Sequence, residues 1–251
     1  MKEYHKIQSI FKRDERGNLI LGEYSLPEFE FLRNNVWQFT EKVDGTNVRI
    51  MWDGKKVSIG GRTDNAQIST FLLDTLMQMF YGEENRKLFI EKFGEQEGTS
   101  VCLYGEGYGA RILKGGGNYI PDGVSFVLFD VLIADTTSDK NSEGIYLKRE
   151  DVEDIGNFFG VKVVPIIGYG TLEDAVKATE QGQKSQWGDF LSEGVVARPL
   201  VELKTRGGDR IITKIKHKDF NFKKKKEIYK HKVKVVCNCN LSTTDVTCQS
   251  K

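Results

Sequence analysis

No apolar run in the 251-residue sequence approaches the roughly 18 to 20 residues that a membrane-spanning helix needs, so no membrane partner is expected. The opening stretch, MKEYHKIQSIFKRDE, lacks the apolar segment of a secretory signal, and the expected location is the cytoplasm, or the host cytoplasm for a viral chain. Cysteine is scarce: of four, only Cys102 lies outside the cluster Cys237, Cys239 and Cys248 near the end. That is not the even framework of a secreted disulfide scaffold, and a reducing compartment fits best. There is no C-x-x-C pair, and Cys237-x-Cys239 with Cys248 lacks a fourth ligand at zinc-site spacing. Residues 235–251 therefore read more simply as a disordered tail. An internal repeat, a low-complexity linker and regular β-α-β alternation are also missing. One domain over residues 1–234 is expected, of α+β class with antiparallel sheets.

Net charge is nearly absent, at +1, but it is unevenly divided. Thr213 to Lys234 hold ten lysines, two acids and no arginine, a charge of +8 that leaves −7 on the rest. A basic strip is joined to a mildly acidic body.

Extended segments are predicted at Val36–Thr40 and at Thr46–Trp52, the latter pairing with Lys56–Gly60 across an Asp53-Gly54 turn. From Ile68 to Phe93 apolar residues recur at helical spacing, as two helices broken near Tyr81-Gly82. Strands return at Ser100–Glu106 and Val124–Ile133, and polar Asp135–Gly144 reads as an exposed loop. Helices are predicted at Lys148–Phe159 and Leu172–Glu180, the second opened by a Thr171-x-x-Asp174 capping pattern, with a strand over Val161–Tyr169 between them. Final strands are predicted at Gly194–Arg198 and Arg210–Lys216.

Lys42 follows an apolar strand and precedes Asp44-Gly45, so its side chain can project from a strand end into a cleft while glycine admits a ligand. Alone, K-x-D-G also describes an exposed lysine before a turn. It is followed in order by Gly60-Gly61-Arg62-Thr63, Leu103-Tyr104-Gly105-Glu106-Gly107, Phe126-Val127-Leu128-Phe129-Asp130, Ser192-Glu193-Gly194-Val195-Val196 and Thr213-Lys214-Ile215-Lys216. A lysine amine that attacks the α-phosphate of a nucleoside triphosphate must first be neutral, and Lys214, Lys216, Arg62 and a bound metal are candidates for the positive field that favours this. The same cations would stabilise charge developing on phosphate oxygens.

In order and spacing, these six segments resemble the covalent nucleotidyltransferase superfamily of polynucleotide ligases and capping enzymes. The resemblance implies an ATP-grasp-like nucleotidyltransferase fold, with antiparallel sheets flanked by helices around an ATP cleft. It implies Lys42 as the nucleophile that forms lysyl-AMP, with Lys214 and Lys216 as catalytic contacts to the α-phosphate. ATP is also expected to meet Glu41, Asn47, Arg62, Glu106 through the ribose hydroxyls, and Phe129 by stacking on adenine, with Asp130 supporting that wall. Glu193 is the expected ligand of a divalent ion, Mg2+ or Mn2+.

Within the superfamily, Thr46-Asn47 after the glycine, where DNA ligases and capping enzymes usually place an arginine, resembles the RNA ligase 2-like branch that includes the editing ligases. The paired glycines before Arg62 resemble it too, and Tyr104–Gly109 followed by Lys114-Gly115-Gly116-Gly117-Asn118 is similar to RNA ligase-like proteins of phages. The glycine triplet is not a Walker A loop; a lid, a nucleic-acid loop and a surface turn remain open readings. The implied activity is ATP-dependent joining of RNA 5′-phosphate and 3′-hydroxyl ends, and a monomer is expected. The alternatives are a DNA ligase core, a capping guanylyltransferase and a non-catalytic RNA-binding module. Many members of the branch carry a further C-terminal domain of roughly a hundred residues, which is not expected in the thirty-five residues after Lys216. Lys223, Lys224, Lys225 and Lys226, interleaved with Phe220, Phe222 and Tyr229 in the wider strip, are candidate RNA contacts or else a solvated helix end.

Overall fold

The computed structural model describes residues 2–135 and 144–220. The chain begins with short strands β1 (Gln8–Ser9), β2 (Phe11–Arg13) and β3 (Leu19–Tyr24) and a short helix α1 (Pro27–Phe31), none of which the sequence patterning announced. Strand β4 (Trp37–Lys42) ends on Lys42, and the chain turns through Val43, Asp44 and Gly45 into the hairpin β5 (Thr46–Trp52) and β6 (Val57–Gly61). The hairpin turns where expected. Asp53 accepts the Lys55 and Lys56 N–H groups, and Gly54 has a φ of +90° with its Cα so close to Gln96 that a Cβ would lie 2.0 Å from that carbonyl oxygen.

Helices α2 (Thr70–Phe80) and α3 (Glu83–Phe93) are broken at Tyr81-Gly82, where glycine takes a φ of +97°. Strands β7 (Thr99–Gly109), β8 (Val124–Asp135) and β9 (Ile145–Tyr146) precede helix α4 (Arg149–Phe158). Then come β10 (Lys162–Val163), β11 (Ile166–Gly170), α5 (Leu172–Gln181), β12 (Gly194–Pro199) and β13 (Thr213–Lys216). Helix α5 opens with a reciprocal capping box between Thr171 and Asp174.

Two sheets result. One runs β1-β13-β12-β4-β11 and the other β10-β8-β7-β5-β6, with β9 on the edge of β8. Pairing is antiparallel except where the short strands β1 and β10 lie parallel to β13 and β8 at the sheet edges. The second sheet packs α2, α3 and α4 over a core containing Trp52, Leu76, Phe80, Phe89 and Phe126. The first packs α5 and α1 over Phe29, Trp37, Leu172 and Val195.

Two sequence expectations need correction. The single strand expected over Val161–Tyr169 is two strands in different sheets, divided at Val164-Pro165. The Val164 N–H donates to Leu128 in the second sheet, while the Pro165 carbonyl accepts from the Glu41 N–H in the first. Proline has no N–H to continue a ladder, so it suits a change of sheet. The final strand starts at Thr213 rather than Arg210, because the backbone before it pairs locally instead, Arg210 bridging Lys204 and the Ile211 N–H donating to Leu203, while the Arg210 side chain reaches Asp130 and Glu202. Most of the loop expected at Asp135–Gly144, the lysines 223–226 and the tail 235–251 lie outside the described residues.

A register shift in β8 matters for the site. Leu128 pairs with Gly105 and Asp130 with Tyr104, leaving Phe129 as the extra residue of a β-bulge. Alternation changes phase there. Phe126, Leu128 and Val131 face the helices, whereas Val127, Phe129 and Leu132 join the small apolar clusters on the other face. Phe129 and the adjacent Asp130 thereby share the face directed at the first sheet.

Candidate active site

The cleft between the sheets is lined by Thr40, Glu41, Lys42, Val196, Arg198 and Lys214 from the first and by Asn47, Glu106 and Phe129 from the second, with Arg62 after β6. Register explains the cations. Gly194 of β12 pairs with both Lys42 of β4 and Lys216 of β13, so the two lysines share a row, and Lys214 lies one row further along, opposite Val196. A Cβ on Gly194 would sit 2.0 Å from the Ile215 carbonyl oxygen, so only glycine permits this approach of strands.

The preceding Glu193 places its carboxylate between the lysines, 2.5 Å from Lys42 Nζ and 2.7 Å from Lys216 Nζ. Burial opposes its ionisation, but the two lysines outweigh that and hold it below the usual glutamate range. Burial lowers Lys214 to about 8, helped by the positive charges of Lys216, Lys42 and Arg62. The four cations gather their field at one end of the cleft.

The opposite wall is set by β5 and β7, where Asn47 pairs with Glu106. Burial pushes Glu106 up to about 7, opposed by the charge of Lys42. The Asn47 Oδ1 is buried without a hydrogen-bond partner among the described residues, an acceptor left for something that enters the cleft. Lys42 is carried to this wall by Gly45, whose Cβ, if it had one, would lie 2.3 Å from the Gly107 carbonyl oxygen and 2.8 Å from Glu106 Cγ. The glycine of K-x-D-G is thus a requirement of close approach.

Asp44 donates its N–H to the Tyr119 hydroxyl at 3.1 Å, and its carboxyl is raised by burial and by Glu193. Tyr119 lies just beyond the glycine triplet, of which Gly116 is tucked so tightly against β7 that a Cβ would fall 1.8 Å from the Gly109 carbonyl oxygen. Gly116 thus anchors the turn that carries Tyr119 to the Asp44 loop, whereas Gly117 is exposed and meets open space.

Glu41 is 1% exposed, and its carboxylate accepts from the Ser185 hydroxyl at 2.6 Å and the Gln186 N–H at 2.7 Å. That side chain ties down the 183–192 loop beside Lys42. Behind Phe129, the fully buried Asp130 accepts from Tyr4 at 2.5 Å and pairs with Arg198 at 3.1 Å and Arg210 at 2.8 Å. Burial opposes its charge, but the two guanidiniums and the hydrogen bonds hold its carboxyl well below the usual aspartate range.

Every described residue of the sequence-based candidate set reaches this cleft or its rim, while Tyr4, His5, Ile7, Arg198 and Arg210 were not anticipated. The two arginines had a readable signal, since each lies in or beside a short extended run where a buried charge requires a partner. Tyr4 and His5 had none, because an unpatterned opening segment says nothing of where it packs.

No helix among the described residues is long and apolar enough to cross a membrane. Among solved structures, the chain is similar to a variant of Naegleria gruberi RNA ligase with ATP and Mn, at a TM-score of 0.54 and 18% identity over 85% of this chain and 57% of that one. It is similar to the same ligase with PPi at a TM-score of 0.54 and 18% identity, over 90% of this chain and 65% of that one. The chain thus spans less than two thirds of those proteins, and likeness at this identity establishes a common fold. A family model described as RNA ligase matches residues 35–216, from just before β4 to the end of β13, and the chain belongs to the RNA ligase family.

Proposed function

We propose that this chain is an ATP-dependent RNA ligase whose Lys42 carries AMP. The observation that carries the reading is the convergence of Lys42, Lys214 and Lys216 with Glu193 on one wall of a cleft whose other wall presents Glu106, Asn47 and Phe129. That division suits a nucleoside triphosphate, with cations for its phosphates and an aromatic and a carboxylate for its base and ribose. The fold shared with a ligase that has been solved with ATP and Mn, with AMP and Mn and with PPi supports it.

In the first step the neutral Lys42 amine forms a bond to the α-phosphorus, the bond to the bridging oxygen breaks, and pyrophosphate leaves. Lys42 must leave its contact with Glu193 and give its ammonium proton to solvent before it attacks, and a second proton passes from the nitrogen to solvent as the N–P bond forms. Lys214, Lys216 and Arg62 hold phosphate oxygens, and Glu106 accepts from the ribose. An RNA 5′-phosphate oxygen then displaces the lysine from AMP, and a 3′-hydroxyl displaces AMP from that phosphate to form the phosphodiester. The catalytic unit is taken as residues 1–234, with the lysines 223–226 a contact for RNA. A resemblance to the RNA ligase 2-like branch rests on Thr46-Asn47 and the paired glycines before Arg62.

No group of three or more acidic, histidine or cysteine side chains stands ready for a metal among the described residues. That suits Mg2+ or Mn2+ brought largely by phosphates and water, with Glu193 as a carboxylate within reach of them. When bound, the ion would neutralise phosphate charge.

Incubation with α-labelled ATP is expected to label the protein covalently, and Lys42→Ala to abolish the label. Chasing the adduct with 5′-phosphorylated RNA should transfer AMP to the RNA. A labelled Lys42→Ala protein would overturn the assignment, and labelling by GTP in place of ATP would overturn the choice of nucleotide.

A further inference from the structure

The sheets are joined at the cleft not only by residues 43–45 and 164–165 but by the amino-terminal segment. The Lys2 carbonyl accepts from Tyr104 of the second sheet at 2.8 Å, and the Glu3 carboxylate accepts from the Asp64 N–H just beyond β6. The Tyr4 ring packs against Tyr104 and edge-on against Phe129, with centroids 4.9 and 5.0 Å apart. A few residues later the chain is in the first sheet, with Gln8 and Ser9 paired to Thr213 and Lys214. Residues 5–7 therefore cross the gap, and Tyr4, His5 and Ile7 line the cleft beside Phe129.

Within this crossing His5 is anomalous. Its ring lies 4.6 Å from that of Tyr4, yet Nδ1 and Nε2 are both buried and neither has a hydrogen-bond partner among the described residues. A desolvated imidazole with two idle nitrogens costs stability unless something supplies partners.

We propose that residues 2–8 form a strap closing the base end of the cleft, and that His5 is a direct hydrogen-bonding contact to the purine base of the bound nucleotide. The inference rests on the ATP reading of the cleft. Phe129 presents a face for the base, and His5, next to the tyrosine that abuts Phe129, is placed to meet the base's edge. Purine edges carry both donors and acceptors. Burial and the charge of Arg210 lower His5 to about 4, against opposing pulls from Asp130, Glu202 and Asp209, so at neutral pH the ring offers one donor and one acceptor. A positively charged ring would offer donors only.

The test compares wild type, His5→Ala and His5→Asn for affinity toward ATP by equilibrium dialysis of its non-reacting α,β-methylene analogue, for self-adenylylation with α-labelled ATP, and for thermal midpoint. Losing one such bond is expected to weaken ATP binding roughly tenfold in His5→Ala. At subsaturating ATP adduct formation in His5→Ala should fall in step with affinity, and His5→Asn, which keeps a donor and an acceptor, should recover most of both. Unchanged affinity in a folded His5→Ala protein overturns the proposal, as does an equal loss in both variants. A wild type that binds ATP without forming an adduct refutes the lysyl-AMP chemistry and still lets dialysis decide on His5. A wild type that binds no ATP removes both.

Discussion

Two titrating groups face each other across the cleft, and together they predict how ATP affinity varies with pH. Glu106 is pushed up to about 7 and Lys214 down to about 8. An ionised Glu106 accepts two hydrogen bonds from ribose hydroxyls, whereas a protonated carboxyl must spend an oxygen as donor. A protonated Lys214 attracts phosphate, whereas a neutral amine does not. Binding favours one charge state of each group, so affinity rises with pH through Glu106 and falls with pH through Lys214. If only the doubly charged form binds, its population peaks at roughly pH 7.5 with a little over half the molecules competent. At pH 6 or pH 9 roughly a tenth remain, so Kd should be about sixfold weaker on either side. The assay is equilibrium binding of an α,β-methylene analogue of ATP, which cannot release pyrophosphate and so separates affinity from chemistry. Glu106→Gln should flatten the acid limb alone, and Lys214→Met the alkaline limb alone. Affinity that stays flat from pH 6 to 9, or an acid limb that survives in Glu106→Gln, would refute the reasoning.

Asp130→Ala removes the fully buried carboxylate that Arg198 and Arg210 share, leaving Arg210 only the half-exposed Glu202, and removal of one partner from a buried ion pair costs about 3 to 5 kcal/mol; circular dichroism should show a melting midpoint roughly 6 to 20 °C lower. Gly45→Ala forces a methyl into the Gly107 carbonyl, so adduct formation should fall by more than about tenfold at an α-labelled ATP concentration that saturates wild type, since an ångström of displacement at the nucleophile is that costly. Glu41→Gln retains an acceptor for Ser185 or Gln186 but not the carboxylate that serves both, and limited proteolysis should cut the 183–192 loop faster than in wild type.

The site was legible in the sequence to the extent that its chemistry sits at strand ends with fixed spacing. Lys42 with Asp44-Gly45, Glu106 in its glycine-flanked strand and Lys214 with Lys216 two apart could be read because strand alternation and glycine act locally. The bulge at Phe129 could not, since it depends on the partner strand β7, and its consequence, that Phe129 and Asp130 share a face, reverses what alternation alone would give. Pro165 was a missed local signal within a predicted strand. Strands β1 to β3 were invisible for a different reason. They are two to six residues long; β1 is held by a distant partner, as when the Thr213 hydroxyl donates to the Gln8 carbonyl, while β2 and β3 pair only with each other in an irregular register.

On the proposed function, the positions of the three crossings give a reason why the nucleophile would be a lysine at residue 42 rather than elsewhere in the cationic wall. Lys214 and Lys216 belong wholly to the first sheet, and their backbone is fixed by its ladder. Lys42 closes β4 of that sheet, but the next residues carry the chain into β5 of the other, with Gly45 pressed on Gly107 and Asp44 held by Tyr119. Its backbone is therefore referenced to both walls, to the cations on one side and to Glu106 and Asn47 on the other. A nucleophile must hold its distance to an α-phosphate that is itself located by both walls, through phosphate contacts on one and nucleoside contacts on the other. A lysine anchored in one sheet would lose that alignment with any small shift between the sheets, whereas Lys42 moves with the junction. Lengthening this junction by a single glycine after Gly45 should thus reduce adduct formation far more than it weakens binding of the methylene analogue. Equal losses in the two assays would show that the junction serves only to hold the fold together.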